Sequence, residues 1–117
     1  MITLSPPMKV YLCTLPTDMR KSFDGLLRMA EEHLQKNVLR GGLFVFVNRR
    51  RDRVKLLYWD GDGAAIWYKR LEAGTFEIPR TAEGAAHVAL SAAELAMLLG
   101  GVELSGARKR KRFQLSE

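Results

Sequence analysis

"LFVFVNRRRDRVKLLYWDGDGAAIWYKRL", residues 43–71, contains the pattern that decides the fold. Leu43 to Val47 is an uninterrupted apolar run, the signature of a central strand covered on both faces. Arg49 to Arg53 reads as a polar turn, residues 54–59 as a second strand, Asp60 to Gly63 as a tight turn and residues 64–71 as the return strand. Three antiparallel strands therefore follow one another, and the rest of the chain has to cover them.

Working outward, residues 8–14 have the β-branched and aromatic content of a further strand, which Pro16 ends. Residues 17–36 switch to helical spacing, with Phe23, Leu26, Leu27, Ala30 and Leu34 on the apolar side, and Thr17, Asp18 or Ser22 as the cap. Residues 38–42 read as the helix exit and a turn. Residues 74–79 suggest a short edge strand and residues 80–89 a loop. A second helix is signalled by the capping box Ser91–Glu94, the staple pair Leu90 and Leu95, and a buried stripe of Leu95, Leu98, Leu99 and Val102. Gly100 and Gly101 supply its stop. The expected class is α+β: an antiparallel sheet of three to five strands packed against two helices, with a flexible basic C-terminal tail. Residues 1–104 form one domain in this reading and residues 105–117 the tail.

The 117 residues carry a net charge of +6, unevenly placed. Residues 48–55 and residues 105–117 are each +4, leaving −2 for everything else. Basicity gathered into two segments is the distribution of a polyanion contact, with DNA as the commonest partner. Arginine also has the fork geometry for bidentate phosphate contacts. The candidate contacts are Arg49, Arg50, Arg51, Arg53 and Lys55 in the loop, Lys69 and Arg70 on the return strand, Arg20 and Lys21 before the helix, and Arg108, Lys109, Arg110, Lys111 and Arg112 in the tail. Such contacts hold a backbone without reading its sequence.

Other chemistries find less support. The Asp60–Gly63 turn resembles the start of a calcium loop, but the fifth and twelfth positions are Ala64 and Leu71, and Asp-Gly pairs are what a hairpin turn demands. Asp18, Asp24, Asp60, Asp62 and Glu72 offer no spacing that assembles a catalytic metal site. His33 and His87 are isolated, and Cys13 is the only cysteine, so no intrachain disulfide forms and a reducing cytoplasmic location is expected. No apolar run approaches the ~20 residues of a membrane span. Tyr58, Trp59, Trp67 and Tyr68 beside basic residues suggest base stacking, but alternation in a small sheet assigns most such rings to packing. No cofactor and no catalytic residue is expected.

Three blocks, "TDMRKSFDGL" (17–26), "GGLFVFVNRRRDRVKLLYWDGDGAAIWYKRLEAGTF" (41–76) and "LAMLLGGV" (95–102), resemble TnpB, the second-open-reading-frame accessory proteins of insertion-sequence family sixty-six. The resemblance covers roughly residues 8–102. It implies a part in DNA transposition beside a separate, larger transposase that carries the strand-transfer chemistry. On the matched positions it points to Asp18, Arg20, Lys21, Arg49, Arg50, Arg53, Lys55, Asp60, Lys69 and Arg70. Arg51 departs from the family pattern, where glycine or another small residue is frequent. Gly100 stands where a polar residue is common, and "ARKRKRF" is a more basic ending than is typical. The expected function is a non-catalytic accessory protein binding DNA, the transposase, or both. The alternatives are an adaptor with no DNA affinity of its own and a minimal metal-dependent nuclease.

Overall fold

The computed structural model describes residues 8–78 and 84–100. Its elements are β1 (Val10–Cys13), α1 (Phe23–Leu34), a 3-10 turn at Val38–Arg40, β2 (Leu43–Val47), β3 (Arg53–Trp59), β4 (Ala64–Arg70), β5 (His87–Leu90) and α2 (Ala92–Gly100). The strands form one five-stranded sheet in the order β4-β3-β2-β1-β5. The α+β class holds, with a mostly antiparallel sheet. The β1–β2 pair is parallel, since α1 provides the long crossover that parallel neighbours require.

β2 shows why the apolar run was informative. All five of its residues are buried. Leu43, Val45 and Val47 point to one face, where Val10, Leu12, Val54 and Leu56 meet Leu95 and Leu98 of α2. Phe44 and Phe46 point to the other, against Leu26, Met29, Ala30 and Leu34 of α1. One helix covers each face of the sheet.

Both helix ends differ in detail from expectation. α1 starts at Phe23 with Ser22 as its cap residue, and the Ser22 side chain makes no capping bond. Asp18 instead closes a local turn, its carboxylate accepting from the Arg20 amide at 2.9 Å. The buried arc of α1 stops at Leu26, so Phe23 in the first turn is 45% exposed, and Met29 fills the stripe in its place. At the other end Gln35 turns into the left-handed region (φ 55) and the helix stops.

Two expectations between β4 and α2 are overturned. Residues 74–78 form no strand, yet Phe76 is fully buried in the cluster on the α2 side and its amide donates to the Arg51 carbonyl at 2.7 Å. Residues 87–89, expected in a loop, form β5 together with Leu90 and pair antiparallel with β1, from Cys13↔His87 to Val10↔Leu90. Four residues are too few to display an alternating period, and this strand is set by its partner, not by its own pattern. The capping box does form: the Ser91 amide donates to Glu94 Oε1 and the Glu94 amide to Ser91 Oγ, each at 3.0 Å. Leu95 and Leu98 are buried below it. Val102, Gly101 and the tail residues Arg108 to Arg112 lie outside the described residues, as does the domain boundary at 104/105.

Candidate nucleic-acid interface

The arginine loop joins β2 to β3, and Asn48 organises it. Asn48 Oδ1 accepts from the amides of Asp52 (3.1 Å) and Arg53 (3.0 Å), and Asn48 Nδ2 donates to Asp52 Oδ1 at 2.7 Å. The Asn48 carbonyl accepts from the Arg51 amide at 3.0 Å. Arg51 reaches this position in the left-handed conformation, φ 60. From outside, the Leu71 amide donates to the Asp52 carbonyl and the Phe76 amide to the Arg51 carbonyl, both at 2.7 Å. The backbone at Asn48, Arg51, Asp52 and Arg53 is thus held by hydrogen bonds, while Arg49, Arg50 and Arg51 are exposed to solvent. Asp52 is held below the usual carboxylate range by its hydrogen bond from Asn48, with smaller help from its own backbone and from the charges of Arg50 and Arg53.

The facing wall comes from the segment ahead of α1. The Thr17 amide donates to the Val47 carbonyl at 2.9 Å. Lys55 holds the segment from below: its Nζ donates to the carbonyls of Met19 (2.8 Å) and Lys21 (2.7 Å) and lies 4.7 Å from the centroid of the Tyr68 ring. At 8% exposure this ammonium is committed inward, an assignment different from the surface phosphate contact expected of it. Between the walls lies an open cleft of about 560 Å³, lined by Pro16, Thr17, Asp18, Met19 and Arg20 and by Asn48, Arg49, Arg50, Asp52 and Arg53. Four arginines and two aspartates from two distant parts of the chain thus line one cleft.

The charges do not all stand free. Arg20 grips Asp18, Nη2 to Oδ2 at 2.6 Å with Nε also donating, which lowers the Asp18 carboxyl to about 2 and raises Arg20. Arg70 pairs with Glu72 at 2.9 Å. Among the described residues, no carboxylate lies within ion-pair distance of Arg49, Arg50 or Arg51. Arg70 stands opposite Arg53 in the β3–β4 register, whereas Lys69 is opposite Val54 and so belongs to the α2 face. Lys21 is exposed beside the cleft.

The aromatic residues divide as the alternation predicts. Tyr58 and Trp67 pack against the cluster under α2, Trp59 against that under α1, and Tyr68 is 48% exposed. The acid-glycine turn closes the β3–β4 hairpin, with the Asp60 amide donating to the Gly63 carbonyl at 2.7 Å and Gly61 at φ 73. Sequence reading missed Asn48, Asp52 and Thr17 as the residues that position the arginines. The only signal was an Asn at the loop's start with an Asp four residues on, a pattern that becomes readable once the loop ends are known.

A sequence model of the family described as IS66 Orf2 like protein matches residues 8–109. The chain is 41% identical over 96 residues to the uncharacterized protein y4hO of Sinorhizobium fredii, covering 82% of each. It is 32% identical over 110 residues to the uncharacterized protein y4jC of the same organism, covering 94% of this chain and 92% of that one. No solved structure matches significantly. With residues 8–109 matched by the family model, the chain belongs to the IS66 Orf2-like family of insertion-sequence accessory proteins.

Proposed function

We propose that the protein is a non-catalytic accessory factor of transposition that grips the DNA backbone at the cleft between residues 16–20 and 48–53, acting in the cytoplasm beside its element's transposase. The observation that supports this most is the meeting of Arg20, from the segment ahead of α1, with Arg49, Arg50 and Arg53 on a loop that its own hydrogen bonds hold in shape. Like charges gathered in this way repel until an anion lies between them, and a preset loop loses little entropy on binding. Arg51, Arg70 and Lys21 extend the same positive side, and the tail is proposed to add nonspecific attraction.

The test is a duplex titration at several salt concentrations. Three phosphate contacts lower affinity roughly 40-fold between 50 and 200 mM salt, and Arg49→Ala/Arg50→Ala/Arg53→Ala removes about that much salt dependence. Unchanged binding by the triple variant defeats the reading. A second reading, docking on the transposase, draws support from Asp18 and Glu72, which neutralise Arg20 and Arg70 and would oppose a phosphate. Co-purification of the two proteins that survives nuclease treatment, without duplex binding by this chain alone, favours that alternative.

A further inference from the structure

A second basic cleft, of about 720 Å³, lies at the other end of α1. Lys9, Lys36 and Arg40 line it, and among the described residues no acidic side chain does. This differs from the arginine cleft, whose lining includes Asp18 and Asp52. Its floor is rigid. The Tyr11 ring stacks on Phe44 with centroids 5.4 Å apart, and Lys36 Nζ is held 4.8 Å above the Tyr11 ring. Arg40 ends a 3-10 turn that Asn37 closes, its side chain accepting from the Leu39 amide at 3.0 Å. Gly42, at φ +100, lets the backbone pass so close that a Cβ there would lie 3.3 Å from the Tyr11 ring. Among the described residues none of these three cations has an ion-pair partner, and cations grouped in this way favour an oxyanion between them.

The two clefts are separated by α1, whose twelve residues rise about 18 Å. The exposed side of that helix carries Asp24, Glu31 and Glu32 against a single arginine, Arg28. A straight duplex laid across both clefts would press its phosphates onto those carboxylates. We propose that the Lys9–Lys36–Arg40 cleft is a second phosphate-binding site, and that it takes a DNA segment other than the one at the arginine cleft, so that one copy of the chain tethers two duplexes. Identifying the polyanion as DNA rests on the function proposed above.

The experiment uses the full chain, a short biotinylated duplex on beads and a free fluorescent duplex, with fluorescence retained on the beads as the readout and light scattering to count chains per complex. Wild type is expected to retain the second duplex as a complex of one chain with two duplexes. Lys36→Gln/Arg40→Gln is expected to lower retention about tenfold while single-duplex affinity changes by only about twofold, as fits the loss of two phosphate contacts from one of two sites. Lys9→Gln/Arg40→Gln, which touches no ring packing, is expected to do the same and guards against a folding defect. Retention at the wild-type level in both variants overturns the proposal, as does a complex in which two chains each hold one duplex. Duplex binding that survives loss of Arg49, Arg50 and Arg53 but not of Lys36 and Arg40 overturns the arginine-cleft reading and leaves the second cleft as the DNA site. No duplex binding by wild type sinks both.

Discussion

The side-chain amide of Asn48 joins the Asp52 carboxylate at 2.7 Å across the base of the arginine loop, and the same side chain takes the Asp52 and Arg53 amides on its oxygen. One residue therefore sets the loop that carries the guanidinium groups. Asn48→Ala leaves two partly buried amides and a carboxylate without their partner. A loss of about 1–3 kcal/mol in urea unfolding is expected, together with weaker duplex binding although no cation has been removed. Full stability in this variant would show that Leu71 and Phe76 hold the loop by themselves.

Lys55 offers a test of the structural role of a lysine against the DNA contact expected from the sequence. Its ammonium ties the Met19 and Lys21 carbonyls to β3, so Lys55→Met should destabilise the fold by about 1–3 kcal/mol, since the hydrogen bonds lost are charge-assisted. The slope of duplex affinity against salt should stay as in wild type. A slope reduced by about one would mean that Lys55 does reach a phosphate.

Arg51 and Gln35 both hold left-handed backbone, at φ 60 and φ 55. A side chain in that region costs about 1–2 kcal/mol, part of which glycine gives back through its freer unfolded chain. Arg51→Gly and Gln35→Gly should each stabilise the protein by up to about 1 kcal/mol, read as a higher urea midpoint. Arg51 does not line the cleft, so Arg51→Gly should bind DNA almost as well as wild type. The small residue that the family resemblance leads one to expect here has a conformational reason.

Asp18 has its carboxyl lowered from 3.8 to about 2, first by the side-chain hydrogen bond from Arg20 and then by the Arg20 backbone amide. For a depressed carboxylate, the stabilising contact is fully present above the unfolded value and is lost as the pH falls through the folded one, here between about 4 and about 2. Carboxyl NMR titration should show that low midpoint, and Arg20→Ala should move it back towards 3.8.

The same pair makes a prediction at neutral pH. Asp18→Asn keeps an oxygen for the Arg20 amide but frees the guanidinium, and duplex affinity should rise about three- to tenfold at low salt. Unchanged affinity would mean that Arg20 takes no part in binding.

The sequence displayed the sheet core and the second helix plainly, because Leu43 to Val47 and the Ser91–Glu94 box each carry their whole signal within a few residues. β5 and the burial of Phe76 were not legible, since one is a four-residue edge set by its neighbour and the other a single side chain filling a space made by distant elements. The arginines stood out by composition. Their union with Arg20 did not, nor did the inward turn of Lys55, because both depend on where residues 16–21 are pinned. Lysine in a basic run gives no sign of which way it faces until the strand's alternation has been anchored by Leu57 and Trp59.

The parallel run of β1 and β2 has a further result. Because both strands travel in the same sense, the chain leaves each of them at the same pole of the sheet, which carries Thr17–Arg20 alongside Asn48–Arg53, and it enters them at the other, where Lys9 adjoins Gly42. Strand polarity alone sorts the basic residues into two camps. Had the first strand been reversed, Arg20 and Arg49 would stand a full strand length apart, and neither gathering of charge would exist.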